Sequence, residues 1–433
     1  MKAKIITKIP GTKSEKVIHT VRKLNGGWGV SYPFVHSKDG KGCYFKDIDE
    51  NTFLDFASQI ASNPLGYNHP DIKSTIKQYS SRAPVKFAGQ DFLVKEHALL
   101  LEELLSITPH HLNAAFFVNS GAEAVENCLK ISMRNRKKAK VGISFESAFH
   151  GRTLGALSCT NSKTIQKKNF FSIPMKRLPF DESAGDVLQQ MLKHDVAPEG
   201  VAFIILEHLQ GEGGYRVPSK KMVKDIRVIA KQHNIPYIAD EVQAGMGRTG
   251  EWWAFQHFKI QPDTFSSAKA LGIGATIANK KFFPKEPGSI CSTWGGGQII
   301  DLAVGVQTIK TMKRKRILSN VQRMGVFLEK ELQALSAICP QVSNIRGLGL
   351  MRAFDLPSKK AREDVIIGAL KNGLVLLGCG DKGVRLVPPL IIKREEIIEA
   401  IDILEKTIKE CCKPKFKHTG KICQYTACSE DGT

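Results

Sequence analysis

The sequence lacks any run of about 18 uninterrupted apolar residues, so we do not expect a membrane-spanning helix. Its first residues, MKAKIITKIPGTKSEK, contain no apolar core of a secretory signal and lack the arginine and serine content of a transit peptide. No motif recurs with a period of about 20–50 residues, which argues against solenoids and propellers. These absences predict a globular protein located in the cytoplasm.

Cysteine pairs with the spacing of a disulfide framework or a zinc site are also lacking. Six of the ten cysteines are scattered singly between Cys43 and Cys379, a pattern typical of buried thiols in a reducing compartment. The other four are close to the end of the chain: Cys411, Cys412, Cys423 and Cys428. No CxxC pair occurs among them, so we predict no metal site and expect residues 411–433 to form a flexible tail.

Acidic residues are few compared with basic ones. The chain has 63 Lys and Arg against 42 Asp and Glu, a net charge of +21. Such a charge is compatible with nucleic-acid binding, with a basic background, or with a site for anionic small molecules. The basic residues are spread along the chain, and the densest runs, 134–140 and 313–316, are typical of helix ends. This spread favours the second and third interpretations over nucleic-acid binding.

The middle of the chain alternates short apolar runs with helical periods. Residues 201–206 (VAFIIL) predict a buried strand, and apolar residues at helical spacing within 219–233 predict a helix. Further strands are predicted at 236–239 and 263–267. Alternating strands and helices predict an α/β fold with a parallel sheet and right-handed crossovers.

The C-terminal third predicts a second, smaller α/β domain. Its expected strands are 346–354 and 374–377, and its expected helices are 361–371 and 394–411. The last of these helices is expected to be amphipathic, with one apolar face that comprises Ile397, Ile398, Ile401, Leu404 and Ile408. We therefore expect this domain to have its own apolar core.

The first motif with candidate chemistry is AAFFVNSGAEA, which predicts a strand, a small-residue turn and a helix start. Ser120, Gly121 and Ala122 would present backbone N–H groups and the positive end of a helix dipole to a phosphate. Taken alone, the motif is explained more simply by an ordinary helix cap at Ser120.

The second motif is a pair of adjacent acids, Asp240 and Glu241, directly after a predicted buried strand. In open α/β sheets, ligands bind at the carboxyl ends of strands, where one acid would suit a cationic ring nitrogen. The alternative is a loop in which both acids form ion pairs.

The third motif is Lys269, which stands among small and apolar residues in SSAKALG at a predicted strand end. A lysine in such surroundings loses solvation, which lowers its pKa and favours a role as a Schiff-base nucleophile. For an isolated lysine, a side chain that extends to the surface is the simpler interpretation.

Together the three motifs supply a phosphate site, an acid for a pyridinium nitrogen and a lysine for an aldehyde. These are the three anchors of pyridoxal 5′-phosphate. From about Lys23 to about Glu410, longer stretches of the chain resemble the class III, or ω-, aminotransferases, both in their residues and in their order along the chain. The matching stretches are FLDFASQIASNPLGYNHP, FFVNSGAEAVE, FESAFHGRTLGALS, IILEHLQGEGG, YIADEVQAGMGRTG, FSSAKALG, STWGGG, RGLGLMRAFDLP and LLGCGDKGVRLVPPL.

The resemblance implies a fold and a domain organisation. The fold would be that of the fold-type I pyridoxal-phosphate transferases, with a large, mostly parallel-sheet domain and a smaller α/β domain from the chain ends. Residues 1–60 would join the small domain, 61–310 would form the large cofactor-binding domain, and 311–410 would complete the small one. The family also implies a homodimer with shared active sites.

The resemblance assigns cofactor roles to individual residues. Lys269 would bond to the cofactor aldehyde and then act as base and acid, and Asp240 would pair with the pyridinium nitrogen. The remaining contacts would come from Phe149 stacked on the ring, Gln243 at the phenolic oxygen, Ser120, Gly121 and Ala122 at the phosphate, and Thr293 at the phosphate of the partner subunit.

On the substrate side, two arginines would bind carboxylates in turn, since their planar groups bind a carboxylate bidentately. Arg152 matches the residue for the distal carboxylate, and Arg385 matches the residue for the α-carboxylate of 2-oxoglutarate. Glu212 would neutralise Arg385 when the donor has no α-carboxylate, Glu207 would lie nearby, and Ile60 would line the pocket. Structural ion pairing is the alternative for both arginines.

The predicted function is transfer of the amino group of 4-aminobutyrate to 2-oxoglutarate, giving succinate semialdehyde and glutamate. Lysine 6-, ornithine and N-acetylornithine aminotransferases are alternatives with the same chemistry and a different donor. A pyridoxal-phosphate aminomutase or racemase is an alternative of another class, and a basic RNA-binding protein on an inactive fold is the non-enzymatic one.

Overall fold

The computed structural model describes residues 1–26, 30–81, 89, 91–290 and 298–411. Contacts between residues divide the chain into two units, one formed by Met1–His69 with Ser319–Thr433 and the other by Pro70–Leu318. We call them the end unit and the middle unit. The domain boundaries expected at residues 60, 310 and 410 stay predictions.

The helices of the described residues have the following bounds: α1 Thr12–Leu24, α2 Ser58–Ala61, α3 Pro70–Tyr79, α4 Lys95–Leu105, α5 Gly121–Asn135, α6 Leu154–Cys159, α7 Ala184–His194, α8 Lys220–Gln232, α9 Ile299–Arg314, α10 Ile317–Ile338, α11 Lys359–Lys371 and α12 Arg394–Cys411. Among these residues, no helix is both long and apolar enough to cross a membrane.

The strands have these bounds: β1 His36–Lys41, β2 Tyr44–Asp47, β3 Thr52–Asp55, β4 Ala114–Val118, β5 Val141–Phe145, β6 Met175–Leu178, β7 Val201–Leu206, β8 Tyr237–Asp240, β9 Thr264–Ser267, β10 Gly274–Ala278, β11 Ser343–Leu348, β12 Met351–Asp355, β13 Leu374–Val375, β14 Leu377–Cys379 and β15 Gly383–Leu386.

The middle unit contains a seven-stranded sheet in the order β4-β10-β9-β8-β7-β5-β6. Strands β6, β5, β7, β8 and β9 pair in parallel, whereas β10 is antiparallel to both β9 and β4. Strand β4 therefore runs in the same direction as the parallel strands. The predicted parallel α/β sheet is confirmed, and the strand predicted at 201–206 is β7.

Helices cover both faces of this sheet. Successive residues of a strand face opposite sides, so the residues of one strand pack against helices on both faces. Ile204 and Leu206 of β7 pack in one apolar cluster with residues of α7 and α8. Phe203 and Ile205 pack in another cluster, against Val125 and other residues of α5. All six residues of β7 are buried, which explains why its sequence is continuously apolar instead of alternating.

The end unit contains two four-stranded sheets, β1-β2-β3-β13 and β11-β12-β15-β14. Its elements correct two predictions. Residues 346–354 do not form one strand, because a turn at 349–350 divides them into the antiparallel pair β11 and β12. Residues 374–377 are also divided, since β13 pairs with β3 and β14 pairs with β15 in the other sheet.

The amphipathic helix predicted at 394–411 is α12. Ile398 was wrongly placed on its apolar face: the residue is 44% exposed, because it lies next to Ile397 and so points about 100° away from it around the helix. Helix α12 ends at Cys411, which is buried although we expected it in the tail. The scattered cysteines are free and buried as expected, at Cys43, Cys128, Cys159, Cys339 and Cys379. Cys291 and the rest of the expected tail lie outside the described residues.

Candidate active site

A cavity of about 350 Å³ lies in the middle unit and is lined by residues that follow the carboxyl ends of several strands. The predicted site residues that it brings together are Ser120, Gly121, Ala122, Phe149, Glu207, Glu212, Asp240, Gln243 and Lys269. Because β4, β5, β7, β8 and β9 share one direction, their carboxyl ends meet at one edge of the sheet. The topology therefore converts motifs that are distant in sequence into neighbours.

The start of α5 forms one wall of the cavity. Ser120 caps the helix: its Oγ accepts from Glu123 N at 3.3 Å, and its own backbone N donates to Glu123 Oε2 at 2.8 Å. Gly121 has no space for a side chain, since a Cβ there would lie 2.8 Å from a methyl carbon of Val242. The first turn of α5 thus lies at the cavity, and the backbone N–H groups at a helix start are the donors that an anion site uses.

Asp240 ends β8 and is held by three groups. Its Oδ1 accepts from Val242 N at 3.0 Å and from Ser266 Oγ at 3.2 Å. Its Oδ2 lies 2.7 Å from Nδ1 of His150, which is also buried and lines the cavity. This contact fixes the direction of the carboxylate in the cavity wall.

His150 was missed by reasoning from sequence alone. It directly follows Phe149 in AFHGRT, so the signal was adjacent to a predicted residue, but its partner Asp240 is distant in sequence. His150 Nε2 is buried and has no hydrogen-bond partner in the described part of the chain. The imidazole therefore adds a polar group to the cavity that the sequence motifs do not predict.

Glu241, unlike Asp240, is not among the residues that line the cavity. Its carboxylate oxygens accept from Ala254 N at 2.7 Å and Phe255 N at 2.9 Å. Burial raises the pKa of Glu241 to about 8. Of the two acids, Asp240 lines the cavity and Glu241 holds the chain segment behind it.

Glu207 connects two loops at the cavity. Its Oε1 accepts from Phe149 N at 2.9 Å and its Oε2 accepts from Gly211 N at 2.8 Å. Burial raises the pKa of Glu207 to about 7. Both carboxylate oxygens are therefore occupied by backbone donors, and the residue holds Phe149 beside the loop that carries Glu212.

Lys269 follows β9 at the start of a short 3-10 turn, Lys269–Leu271, and lines the cavity. Its side chain is partly buried. The position directly after the strand end is the one expected from the sequence.

Arg152 lies three residues after Phe149, and its guanidinium carbon is 5.9 Å from the centroid of the Phe149 ring. The next residue, Thr153, donates from Oγ1 to Glu126 Oε1 at 2.6 Å, and Ala156 N donates to the same oxygen at 3.0 Å. Glu126, on α5, thus fixes the segment that follows Arg152. It is a second residue that the sequence motifs did not identify, because its partners are distant along the chain.

Four predicted site residues are not among those that line the cavity in the middle unit: Arg152, described above, and Ile60, Arg385 and Thr293. Ile60 belongs to α2 of the end unit and is 45% exposed. Arg385 lies on β15 of the same unit, where it is buried and pairs in register with Ala353 and Leu377. Thr293 lies outside the described residues.

A family model described as aminotransferase class-III matches residues 28–408. The chain belongs to the class-III aminotransferases. Its fold is accordingly that of the fold-type I pyridoxal-phosphate enzymes, and its cofactor is pyridoxal 5′-phosphate.

Individual relatives of this class-III aminotransferase differ in the donor that their names give. The acetylornithine aminotransferase of Methanothermobacter thermautotrophicus is 34% identical over 405 residues, which cover 92% of this chain and 99% of that protein. The mitochondrial 4-aminobutyrate aminotransferase of Mus musculus is 30% identical over 436 residues, covering 89% and 87%. Among solved structures, a lysine aminotransferase from M. tuberculosis superposes with a TM-score of 0.83 at 25% identity, covering 91% and 98%.

The cavity of this class-III aminotransferase fits its cofactor in three respects. The capped start of α5, where a Cβ at Gly121 would collide with Val242, leaves backbone donors for a phosphate. Asp240, oriented by His150, offers a carboxylate to a ring nitrogen. Lys269 lines the cavity, where its amine would suit the aldehyde, and the volume lies in the range of small-molecule sites.

Proposed function

We propose that this class-III aminotransferase transfers the amino group of 4-aminobutyrate to 2-oxoglutarate. The observation that carries the proposal is the position of Arg152, whose guanidinium lies 5.9 Å from the ring centroid of the cavity residue Phe149. A positive charge there suits a donor with a carboxylate remote from its reacting amine. The relative from Mus musculus, named for 4-aminobutyrate, agrees with this donor.

N-acetylornithine is the second candidate donor. It also carries a carboxylate remote from the reacting amine, and the relative from Methanothermobacter thermautotrophicus is named for it at 34% identity. Arg152 suits both donors, so the difference depends on chain length and on the acetyl group. In such pockets one methylene changes the free energy of the transition state by about 1–3 kcal/mol.

In the proposed mechanism, the bound cofactor supplies an electron sink for the carbon that bears the amino group. Lys269 would hold the cofactor through its Nζ until the amine of the donor replaces it, and the freed Nζ would then take the proton from that carbon and return it at the neighbouring position. Asp240 keeps a positive charge on the ring nitrogen, and His150 orients Asp240 through the 2.7 Å contact. Each of these groups acts from a strand end of the middle unit.

Substrate exchange would use the two arginines and Glu212. Arg152 binds the remote carboxylate of the donor, and Arg385 binds the α-carboxylate of 2-oxoglutarate. Glu212 lines the cavity, and its expected role of neutralising Arg385 while a donor without an α-carboxylate is bound stays a prediction from the family resemblance. The roles expected for Ile60 and Thr293 from the family resemblance stay predictions, and Glu207 lines the cavity. We propose a homodimer as the active form, as the family resemblance implies.

The absorption spectrum tests the proposal before any coupled assay. Single amines are added to the purified holoenzyme without a keto acid, and 4-aminobutyrate should bleach the yellow band because the amino group remains on the cofactor. If N-acetylornithine, lysine or ornithine bleaches the band and 4-aminobutyrate does not, the protein is still an aminotransferase and the proposed donor is wrong. A racemase would instead invert an added chiral amino acid without lasting bleaching.

Arg152→Lys tests the basis for choosing this donor. We expect kcat/KM for 4-aminobutyrate to fall about 10–100-fold, since a bidentate carboxylate contact is lost. A diamine without a carboxylate should be affected little. Arg134→Lys is the matched control, because Arg134 pairs with Glu286 at 3.0 Å, whereas Arg152 lies beside the cavity residue Phe149. Equal losses for both amines would contradict the role of Arg152.

A further inference from the structure

The loop from Gln210 to Arg216 is closed by its own backbone. Gln210 N donates to Arg216 O at 3.0 Å, and Gly214 N donates to Gly211 O at 3.2 Å. The loop carries Glu212 to the cavity and continues into Tyr215, whose side chain is completely buried. Tyr215 has no role among the residues assigned so far.

The backbone of Tyr215 is in the left-handed region, with φ at +54°. Bulky residues adopt this region rarely, and such conformations persist where surrounding contacts hold them, often at functional sites. Here the strained backbone directs the phenol into the protein, where its hydroxyl donates to Gln243 Oε1 at 2.9 Å. The conformation and the contact therefore belong together.

The amide of Gln243 is constrained at both ends. Tyr215 occupies its oxygen, and its nitrogen packs over Gly211, where an added Cβ would lie only 2.6 Å from Nε2. Gln243 also lines the cavity. With the carbonyl oxygen occupied by a donor, the amide nitrogen is the group left to donate a hydrogen bond to a ligand.

We infer that Tyr215 is a positioning residue, which orients the amide of Gln243 so that its nitrogen donates to the phenolic oxygen of the bound cofactor. The inference rests on the role proposed for Gln243, and it does not depend on which amine is the donor. A hydrogen-bond donor at this oxygen stabilises its negative charge and so lowers the proton affinity of the conjugated cofactor.

Tyr215→Phe removes the hydroxyl and keeps the ring. With the amide free to rotate, we expect the pH midpoint of the visible absorption of the holoenzyme to rise by about half a unit to one unit. Cofactor affinity, measured by quenching of protein fluorescence in the apoenzyme, should fall about five- to tenfold. Neither change requires turnover.

Two further variants exclude a general loss of structure. Tyr237→Phe is the matched control, because Tyr237 is an equally buried tyrosine whose hydroxyl contacts His208 Nε2 at 3.0 Å and which does not line the cavity. It should leave the absorption midpoint unchanged. Gly211→Ala keeps Tyr215 but displaces the Gln243 amide, so its midpoint should rise as well.

A double-mutant cycle decides the question. If Tyr215 acts through Gln243, Tyr215→Phe should have no further effect on the midpoint in a Gln243→Ala background. If Gln243→Ala shifts the midpoint and Tyr215→Phe does not, the positioning role is refuted while the role of Gln243 stands. If Gln243→Ala itself leaves the midpoint unchanged, both assignments are refuted.

Discussion

The cavity of the middle unit and the turn at residues 55–67 of the end unit both carry predicted pocket residues, but they are stabilised in different ways. Around the cavity, regular strands end at one edge, and side chains contact residues far along the chain, as Asp240 contacts His150. In the turn, Ser58–Ala61 adopt positive φ at four successive positions without glycine. Each such residue costs about 1–2 kcal/mol.

Local hydrogen bonds stabilise this left-handed turn. Asp55 Oδ1 accepts from Ala57 N at 2.8 Å and from Ser58 N at 2.7 Å, and Asp55 Oδ2 accepts from Tyr67 OH at 2.8 Å. One buried carboxylate thus holds both ends of the turn that contains Ile60. The comparison teaches that regular topology positions the chemistry, whereas a single side chain holds an irregular segment in place.

The largest expected effect is at Lys269. Lys269→Ala should lower turnover by more than about 10⁴-fold, since the covalent anchor and the proton carrier are lost together. Denaturant unfolding should show little change in stability, and cofactor should still bind through the phosphate site. Retention of normal turnover would contradict the proposed mechanism. The cavity would then no longer differ from the turn as the region that carries the chemistry.

The next effect is at Asp240. Asp240→Asn should lower kcat about 10²–10³-fold, because the charge that stabilises the protonated ring nitrogen is removed. Single-turnover kinetics with one amine would measure the step directly. Asp263→Asn is the control, since Asp263 pairs with Arg227 at 3.3 Å and does not line the cavity.

A substitution in the turn should change the stability of the protein and leave its catalytic chemistry unchanged. Asp55→Ala should lower the free energy of unfolding by about 2–4 kcal/mol, because three donors lose their acceptor and the left-handed residues lose their support. The exposed Asp39→Ala serves as the control in urea denaturation. The yellow absorption should persist in both variants, and its loss in Asp55→Ala would show that the two regions are not independent.

The smallest effect is on pH dependence behind the cavity. Burial raises the pKa of Glu241 to about 8, so the folded state binds its proton more tightly than the unfolded state does. The contribution of this group to stability is complete below its ordinary pKa of 4.5 and is lost as the pH rises toward 8.

The free energy of unfolding of the apoenzyme should therefore decline with rising pH, by about 1–3 kcal/mol from this group. Glu241→Gln should make the decline shallower, whereas Glu102→Gln, at an exposed position of α4, should not change it. If the free energy of unfolding declined equally with pH in the unchanged protein and in both variants, the raised pKa of Glu241 would be contradicted.

The sequence predicts the sheet and most of the cavity because their signals are local. The apolar run of β7, the cap at Ser120 and the acid after β8 each occur within a few residues. Strand direction then brings these local signals to one edge. Their combination, more than any one of them, predicts the cofactor.

The remaining features depend on contacts between distant residues or on unusual backbone. His150, Glu126 and Tyr215 act through partners that no single segment contains. The left-handed turn contains no glycine, so its sequence does not indicate positive φ angles. The strand predicted at 346–354 was wrong because a turn interrupts a stretch of extended character. Such features follow from the folded chain as a whole.

The parallel pairing of β3 with β13 has a consequence for synthesis on the ribosome. Leu54 pairs with Leu374, roughly 320 residues later, so β3 has no partner on this edge until most of the chain has emerged. At about 5–20 residues per second, this wait lasts roughly 15–60 s. During that time Pro70–Leu318 is available to fold as a continuous segment, while β3 can pair with β2 alone and its other edge stays open.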